Sequence, residues 1–385
     1  MMPIAVVGLD CRFPGAPDKD AFWRLLMDGE VADSEVPSER WNVDTYYRAD
    51  GAPGSMNTRR GHFIDDVDAF DNDFFGIAPV EAAALDPQQR LLLECSWRAI
   101  EDAGIDPRSL AGTPTGVFVG VMSSEWTNLQ ILDFPGLTAF RGTGTGYFMT
   151  ANRISYHLGL TGPSVAIDSA CSSSLTAVHQ GCAALRSGEA DTIIAAGANL
   201  ILTPALSIFY TQAGLSAPDG RCKPFGVGAD GIGRGEGVAA VVLRRLDDAI
   251  ADGQPIYAVV KSSATNHDGR SNGITAPNRG SQVELMRRTL SLAEVDAGQI
   301  DFVEAHGTGT VLGDMIEANA LGDVHKTRNG SPCLLGSVKG NIGHTEGSAG
   351  IAAFMKACLS LHHGVLPPTV FGDCANPSLR LAEQG

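Results

Sequence analysis

Cys171 stands where an apolar run hands over to a helical pattern, a position at which a thiol can do chemistry. In GPSVAIDSACSSSL, residues 162–175, the run ends in small residues and turns straight into a helix supported by Leu175, Val178, Cys182 and Leu185, with Gly188 to close it. Unpaired amides and the macrodipole at such an N-terminus favour an anion, so a lowered thiol pKa and an available thiolate are expected. The Cys171 backbone amide is a candidate oxyanion donor.

Two histidines share a second setting. His306 in FVEAHGTGT and His344 in KGNIGHTEG each follow a short apolar run and open or close a glycine-rich loop. That places both at strand carboxyl ends, where ligands bind in open α/β sheets. A lone histidine is more often a satisfied core residue, but two in matched settings favour function. His62, His157, His179, His267, His325, His362 and His363 lack the setting and are read as structural. Among the cysteines, Cys95, Cys182 and Cys358 lie on apolar helical patterns and belong to the core, while Cys11, Cys222, Cys333 and Cys374 have no partner groups beside them.

These residues need a frame. Residues 4–7 read as a buried strand, 21–26 as a short helix, and 31–80 as a long ordered excursion. Asp86 and Pro87 supply an N-cap and first-turn proline for a helix to about Asp102, and 116–121 is the next strand. Strand-like runs at 164–167, 192–196, 238–243, 256–260, 302–304 and 334–337 then alternate with helical patterns over 172–186, 204–213, 281–293, 313–325 and 346–361. Such alternation implies parallel βαβ units with helices on the sheet faces. Glycines gather at 142–146, 226–237, 307–313 and 336–350, read as loops at strand ends. No linker divides the chain, which reads as one compact catalytic unit.

Composition narrows the chemistry. With 44% hydrophobic residues the chain can bury a large core, and its net charge of -16 argues against a nucleic-acid partner. Eight cysteines form no C-x-x-C pair, so neither a zinc ribbon nor a disulfide framework is indicated and no metal is expected. The N-terminus is too short for a signal sequence and no run approaches ~18 apolar residues, so a reduced, cytoplasmic location and no membrane contact are expected. The glycines of 142–146 and 231–237 fit neither a dinucleotide fingerprint nor a P-loop.

Taken together, DSACSSS around Cys171, VEAHGTGT around His306 and GSVKGNIGHTEGSAG around Lys339 and His344 resemble the β-ketoacyl synthases, most closely the ketosynthase domains of type I polyketide synthases. IAVVGLDCRFPG, FFGIAPVEAAALDPQQRLLLE, APDGRCKPFGVGADGIGRGEG, NHDGRSNGITAPN and GVLPPT extend the resemblance along essentially the whole chain. It implies an α/β thiolase-like fold, in which two similar βαβαβαββ halves form an αβαβα five-layer sandwich. Residues 1–250 would be the half carrying the nucleophile and residues 251–385 the half carrying the histidines, together one ketosynthase domain.

By the same resemblance, Cys171 takes an acyl chain from the phosphopantetheine of an acyl carrier protein, and His306 and His344 assist decarboxylation of a malonyl-type extender and hold its enolate. Lys339 sets the charge and orientation of the site, and Thr308 and Thr310 contact the pantetheine arm. No cofactor of the domain's own is implied; the partners are the carrier protein, acyl and malonyl-type thioesters, a second copy in a homodimer, and adjacent acyltransferase or other synthase domains. Met315 replaces a usual proline, which would loosen a loop. Relatives continue past Gly385 into a strand pair with a second oxyanion amide, so truncation at the C-terminal end of the second half is expected. A fatty acid synthase ketosynthase and a non-elongating gatekeeping domain are the alternatives. Gatekeepers tend to lose the histidine of HGTGT, which His306 retains. A Cys-His-Asn triad using Asn341 fits less well than Cys-His-His, since Asn341 lies within NIGH.

Overall fold

A computed structural model describes residues 1–385 except 131, 272, 274 and 327–331; 272 and 274 belong to the NHDGRSNGITAPN stretch and lie outside the described residues. The strands are β1 (Ile4–Arg12), β2 (Ser34–Glu35), β3 (Arg60–Gly61), β4 (Thr115–Val121), β5 (Ser164–Ile167), β6 (Thr192–Asn199), β7 (Gly237–Arg245), β8 (Ala258–Val260), β9 (Phe302–Glu304) and β10 (Leu334–Gly336). Six of them form one sheet in the order β5-β4-β6-β7-β1-β8, and β10 pairs with β9 in a second. Pairing is parallel for β5-β4-β6 and β9-β10, but antiparallel across β6-β7-β1-β8. The expectation of parallel units is therefore corrected for half of the large sheet. An apolar run signals burial on both faces and carries no strand direction.

Alternate residues of β6 and β7 feed opposite faces: Ile193, Ala195, Val241 and Leu243 join one core, and Ile194, Ala196, Val238 and Val242 the other. In β1 the alternation is reset by a bulge between Val6 and Gly8, so that Ile4, Val6, Leu9 and Cys11 share one face. At that bulge a Cβ on Gly8 would lie 2.7 Å from Ala103 N, so glycine lets the helix Pro87–Asp102 settle on the strand. Asp86 caps that helix as expected, accepting from Gln88 N at 2.8 Å.

The helices Ser173–Ser187 and Ala349–His363 pack together on the opposite face, and the second of them reaches β9 beyond. The far side of β9 and β10 is covered by the helix Val311–His325, whose Ala318 meets Val303 and Leu335, and Arg279–Ala293 packs on that helix. Layers of helix, sheet, helix, sheet and helix result. Residues 31–80 make an ordered excursion around Val36, Trp41, Met56 and Phe63. Two local readings are corrected. Residues 142–146 fall in the helix Ala139–Thr145 and its C-cap, where the Gly144 carbonyl accepts from Asp86 N and Gln89 Nε2, each at 2.9 Å; tertiary bonds outweigh glycine's poor helix propensity. Met315 lies inside the helix Val311–His325, so no loop is loosened there. No helix among the described residues is long and apolar enough to cross a membrane.

Candidate active site

Cys171 follows directly on a strained turn. Ala170 has φ 57°, a left-handed conformation rare for a residue with a Cβ, and it is held there by Asp168 Oδ1 on its N–H at 3.0 Å and by Ser173 N on its carbonyl at 3.0 Å. Ser173 Oγ also accepts from Ser169 N at 2.9 Å, closing the turn. The following helix sits unusually close to β4, since a Cβ on Gly120 would overlap the backbone of Ser173 and Ser174. On its other side Ser174 Oγ accepts from Ile351 N at 3.0 Å, tying the nucleophile's helix to Ala349–His363.

His306 stands just past β9, and His344 just past the short helix Lys339–Ile342 that follows β10. The Cys171 sulfur and one ring nitrogen each of His306 and His344 lie within 4.8 Å of one another, although the residues are far apart in sequence. The two rings meet edge to face, with centroids 5.4 Å apart. Glycines make both loops possible: Gly307 and Gly343 have φ 42° and 71°, and a Cβ on Gly343 would come within 2.5 Å of His62 Nδ1.

Carboxylates that sequence reasoning missed hold these loops. Glu317 accepts from the backbone N–H groups of His306 and Gly307 at 2.7 and 2.8 Å. Asp314 accepts from Phe225 N at 2.6 Å and Gly309 N at 3.1 Å. Glu304 accepts from Val338 N at 2.6 Å and pairs with Lys356 at 2.7 Å. All three lie within the segment 302–317, but a carboxylate bonded to distant amides has no local sequence signature. Thr308 is buried in the same loop, its hydroxyl 3.1 Å from that of Thr310. Asn341 turns away, donating to Glu30 O at 2.9 Å. Cys171, His306 and His344 are the side chains that meet here.

Electrostatics overturn one expectation. Burial pushes the Cys171 thiol up from its ordinary value, while the Lys339 ammonium and the residue's own N–H pull it back. The expected lowering by helix-terminal amides is corrected, because desolvation of the charged form is the larger effect. Burial, then Lys339, holds His344 well below the ordinary histidine range. His306 is held low by the same two causes, although its ring remains open to solvent. Both rings are thus neutral near pH 7. His344 Nδ1 accepts from Glu346 N at 3.1 Å, so its one proton is on Nε2. Lys339 is only 2% exposed, and among the described residues no carboxylate pairs with it. Its charge is felt at Cys171, His306 and His344 alike. Such a thiol and imidazole set could also ligate a metal, but the buried ammonium favours an anionic guest over a cation.

Residues 1–249 match the family model for the N-terminal domain of β-ketoacyl synthases, and residues 257–372 the model for the C-terminal domain. The chain is 48% identical over 382 residues to one component of the phenolphthiocerol/phthiocerol polyketide synthase of Mycobacterium tuberculosis, a match that covers 99% of this chain and 25% of that protein. It therefore spans about a quarter of the length of that curated relative. An oxazolomycin ketosynthase domain of Streptomyces albus superposes with a TM-score of 0.94 at 39% identity, covering 99% of this chain and 66% of the other. The ketosynthase from module 6 of the Bacillus subtilis bacillaene synthase gives 0.89 at 40% identity, covering 95% and 62%.

Proposed function

Because the chain belongs to the β-ketoacyl synthase family, we propose that it is a ketosynthase joining acyl units by decarboxylative Claisen condensation in polyketide biosynthesis. The observation that carries this reading is the meeting of Cys171, His306 and His344 within 4.8 Å beside a buried ammonium. Cys171 Sγ attacks the thioester carbonyl of an acyl carrier protein, the carbon–sulfur bond to its phosphopantetheine breaks, and the acyl group passes to Cys171 as the thiol proton leaves with the departing thiol. A malonyl-type extender then loses its carboxylate as CO₂, leaving a thioester enolate. Its carbon attacks the acyl-Cys171 carbonyl, and collapse of the tetrahedral adduct expels the Cys171 thiolate with a new carbon–carbon bond formed.

The developing enolate oxygen needs preorganised donors. A neutral imidazole with its proton on Nε2 is one, and removing such a donor typically costs about 10²–10³ in rate. We assign that role to His344 and His306 together, with Lys339 stabilising negative charge at all three groups. The Cys171 N–H is assigned to the oxyanion of the tetrahedral adduct. Thr308 and Thr310 are assigned to the pantetheine arm, on their place in the loop after His306. Residues 1–250 and 251–385 are read as two halves of one domain, acting in the cytoplasm as a homodimer alongside other synthase domains. A gatekeeping domain would carry acyl groups without condensing them; retention of His306 beside Cys171 favours condensation.

Exposure to an acyl thioester followed by intact-protein mass spectrometry tests the nucleophile. The wild type should gain the acyl mass and Cys171→Ala none. An adduct persisting on the variant would overturn the assignment.

A further inference from the structure

Behind His344 lies a buried ionic group with no part in the chemistry above. Arg234 is 6% exposed and donates from Nε to Glu346 Oε1 at 2.6 Å and from Nη2 to Glu346 Oε2 at 3.1 Å, a bidentate pair. Its Nη1 donates to Ser207 Oγ at 2.9 Å, and Nη2 also reaches Glu125 Oε1 at 3.4 Å. Glu125 is fixed in turn by Leu202 N, Thr203 N and Thr203 Oγ1 at 2.8, 2.5 and 3.0 Å. The guanidinium also lies over the Tyr210 ring, 5.7 Å from its centroid.

This group grips His344 from two directions. Along the backbone, His344 N donates to Gly233 O at 2.8 Å and Gly235 N donates to His344 O at 2.9 Å, so the residues flanking Arg234 clamp both sides of the histidine's peptide. Through the side chain, Arg234 holds Glu346, which is fully buried at φ 45°. That left-handed conformation is costly for a residue with a Cβ and persists only where the surroundings enforce it. It is in this conformation that Glu346 N–H donates to His344 Nδ1 at 3.1 Å.

We propose that Glu346, gripped by Arg234, is a positioning residue that fixes His344 in its Nε2–H tautomer and aims that proton into the site, a role that rests on the condensation reading above. Glu346 touches no reacting atom. It acts through His344, because the nitrogen that carries the proton is set by the bond the other nitrogen makes.

The test compares wild type, Glu346→Gln and Glu346→Ala in the full chain, with two readouts. In the first, each protein is loaded with an acyl thioester, given malonyl carrier protein, and followed for loading and for β-ketoacyl product. Loading should not fall, because removing the Glu346 charge eases ionisation of the Cys171 thiol, while condensation falls roughly 10- to 100-fold in Glu346→Ala, with Glu346→Gln between because its amide oxygen still accepts from Arg234. In the second, ring-nitrogen NMR of isotope-labelled histidine reports the tautomer, with His344 identified by its loss in His344→Gln. The wild type should show Nε2–H alone, and Glu346→Ala a mixture. Loading and condensation falling in step, or condensation unchanged, would overturn the inference. A wild type that loads but never condenses would sink the condensation reading instead; the tautomer then decides alone, and one unchanged by substitution would overturn the positioning role. If Glu346→Ala does not fold, Glu346→Gln keeps the side-chain shape and carries both readouts.

Discussion

Lys339 opposes the burial of Cys171, so replacing it should carry the thiol further from ionisation. For Lys339→Met the pH midpoint of iodoacetamide alkylation at Cys171, followed by intact mass, should rise above that of the wild type. A midpoint that stays or falls would show that the ammonium does not act on the sulfur. His62 offers a second test. Burial, its largest influence, lowers His62 to about 4, and its ring packs beneath the Gly343 turn. An unfolded chain takes up this proton near 6.5 and the folded one only near 4, so the His62 contribution is complete above 6.5 and is lost as pH falls toward 4. About 3 kcal/mol is at stake over that window. His62→Asn should flatten the acid side of stability against pH, measured by urea unfolding; an unaltered slope between pH 6.5 and 4 would contradict the shift. The expected strand-end placement is corrected for His344, which follows β10 only after the intervening helix Lys339–Ile342, but Cys171, His306 and His344 are legible from their settings among glycines and small side chains. Neither the sign of the thiol shift nor the roles of Glu317 and Arg234 are, because desolvation and long-range carboxylate bonds are properties of the assembled chain.

The nucleophile's helix owes its depth to β4. Gly120→Ala would push a methyl group into the backbone of Ser173 and Ser174, and overpacking of this kind costs about 1–3 kcal/mol. Thermal unfolding should shift down and acyl loading at Cys171 should slow, since the turn at Ala170 moves with the helix. Unchanged melting together with unchanged loading would refute the seating described here. At this scale periodicity serves well where burial and period agree: β5 and β9 coincide with the expected 164–167 and 302–304. It fails at Ala139–Thr145, where glycines suggest a loop and bonds to Asp86 and Gln89 make a helix. It also leaves strand direction open, which is why the antiparallel half of the sheet cannot be read from it.

For the whole molecule, β5 is the edge of the large sheet, and its Val165 is 42% exposed. Leu129, Leu132, Phe134 and Leu137 are exposed as well. Edge-to-edge pairing of β5 with its copy would cover this strand, so light scattering should give twice the 40.3 kDa chain mass and Val165→Lys should lower it. A wild-type mass near that of one chain would count against the dimer. Layer order and the convergence of three distant segments on one sulfur are implied by the family resemblance rather than by spacing, since no periodicity reports which loops meet. The central claim, that the convergence serves carbon–carbon bond formation, is tested most directly by single-turnover condensation of pre-acylated protein with malonyl carrier protein. Wild type should release CO₂ and form β-ketoacyl product, while pre-acylated His306→Ala should be slower by about 10²–10³. Equal rates for the two, or a pre-acylated wild type that forms no product, would contradict it.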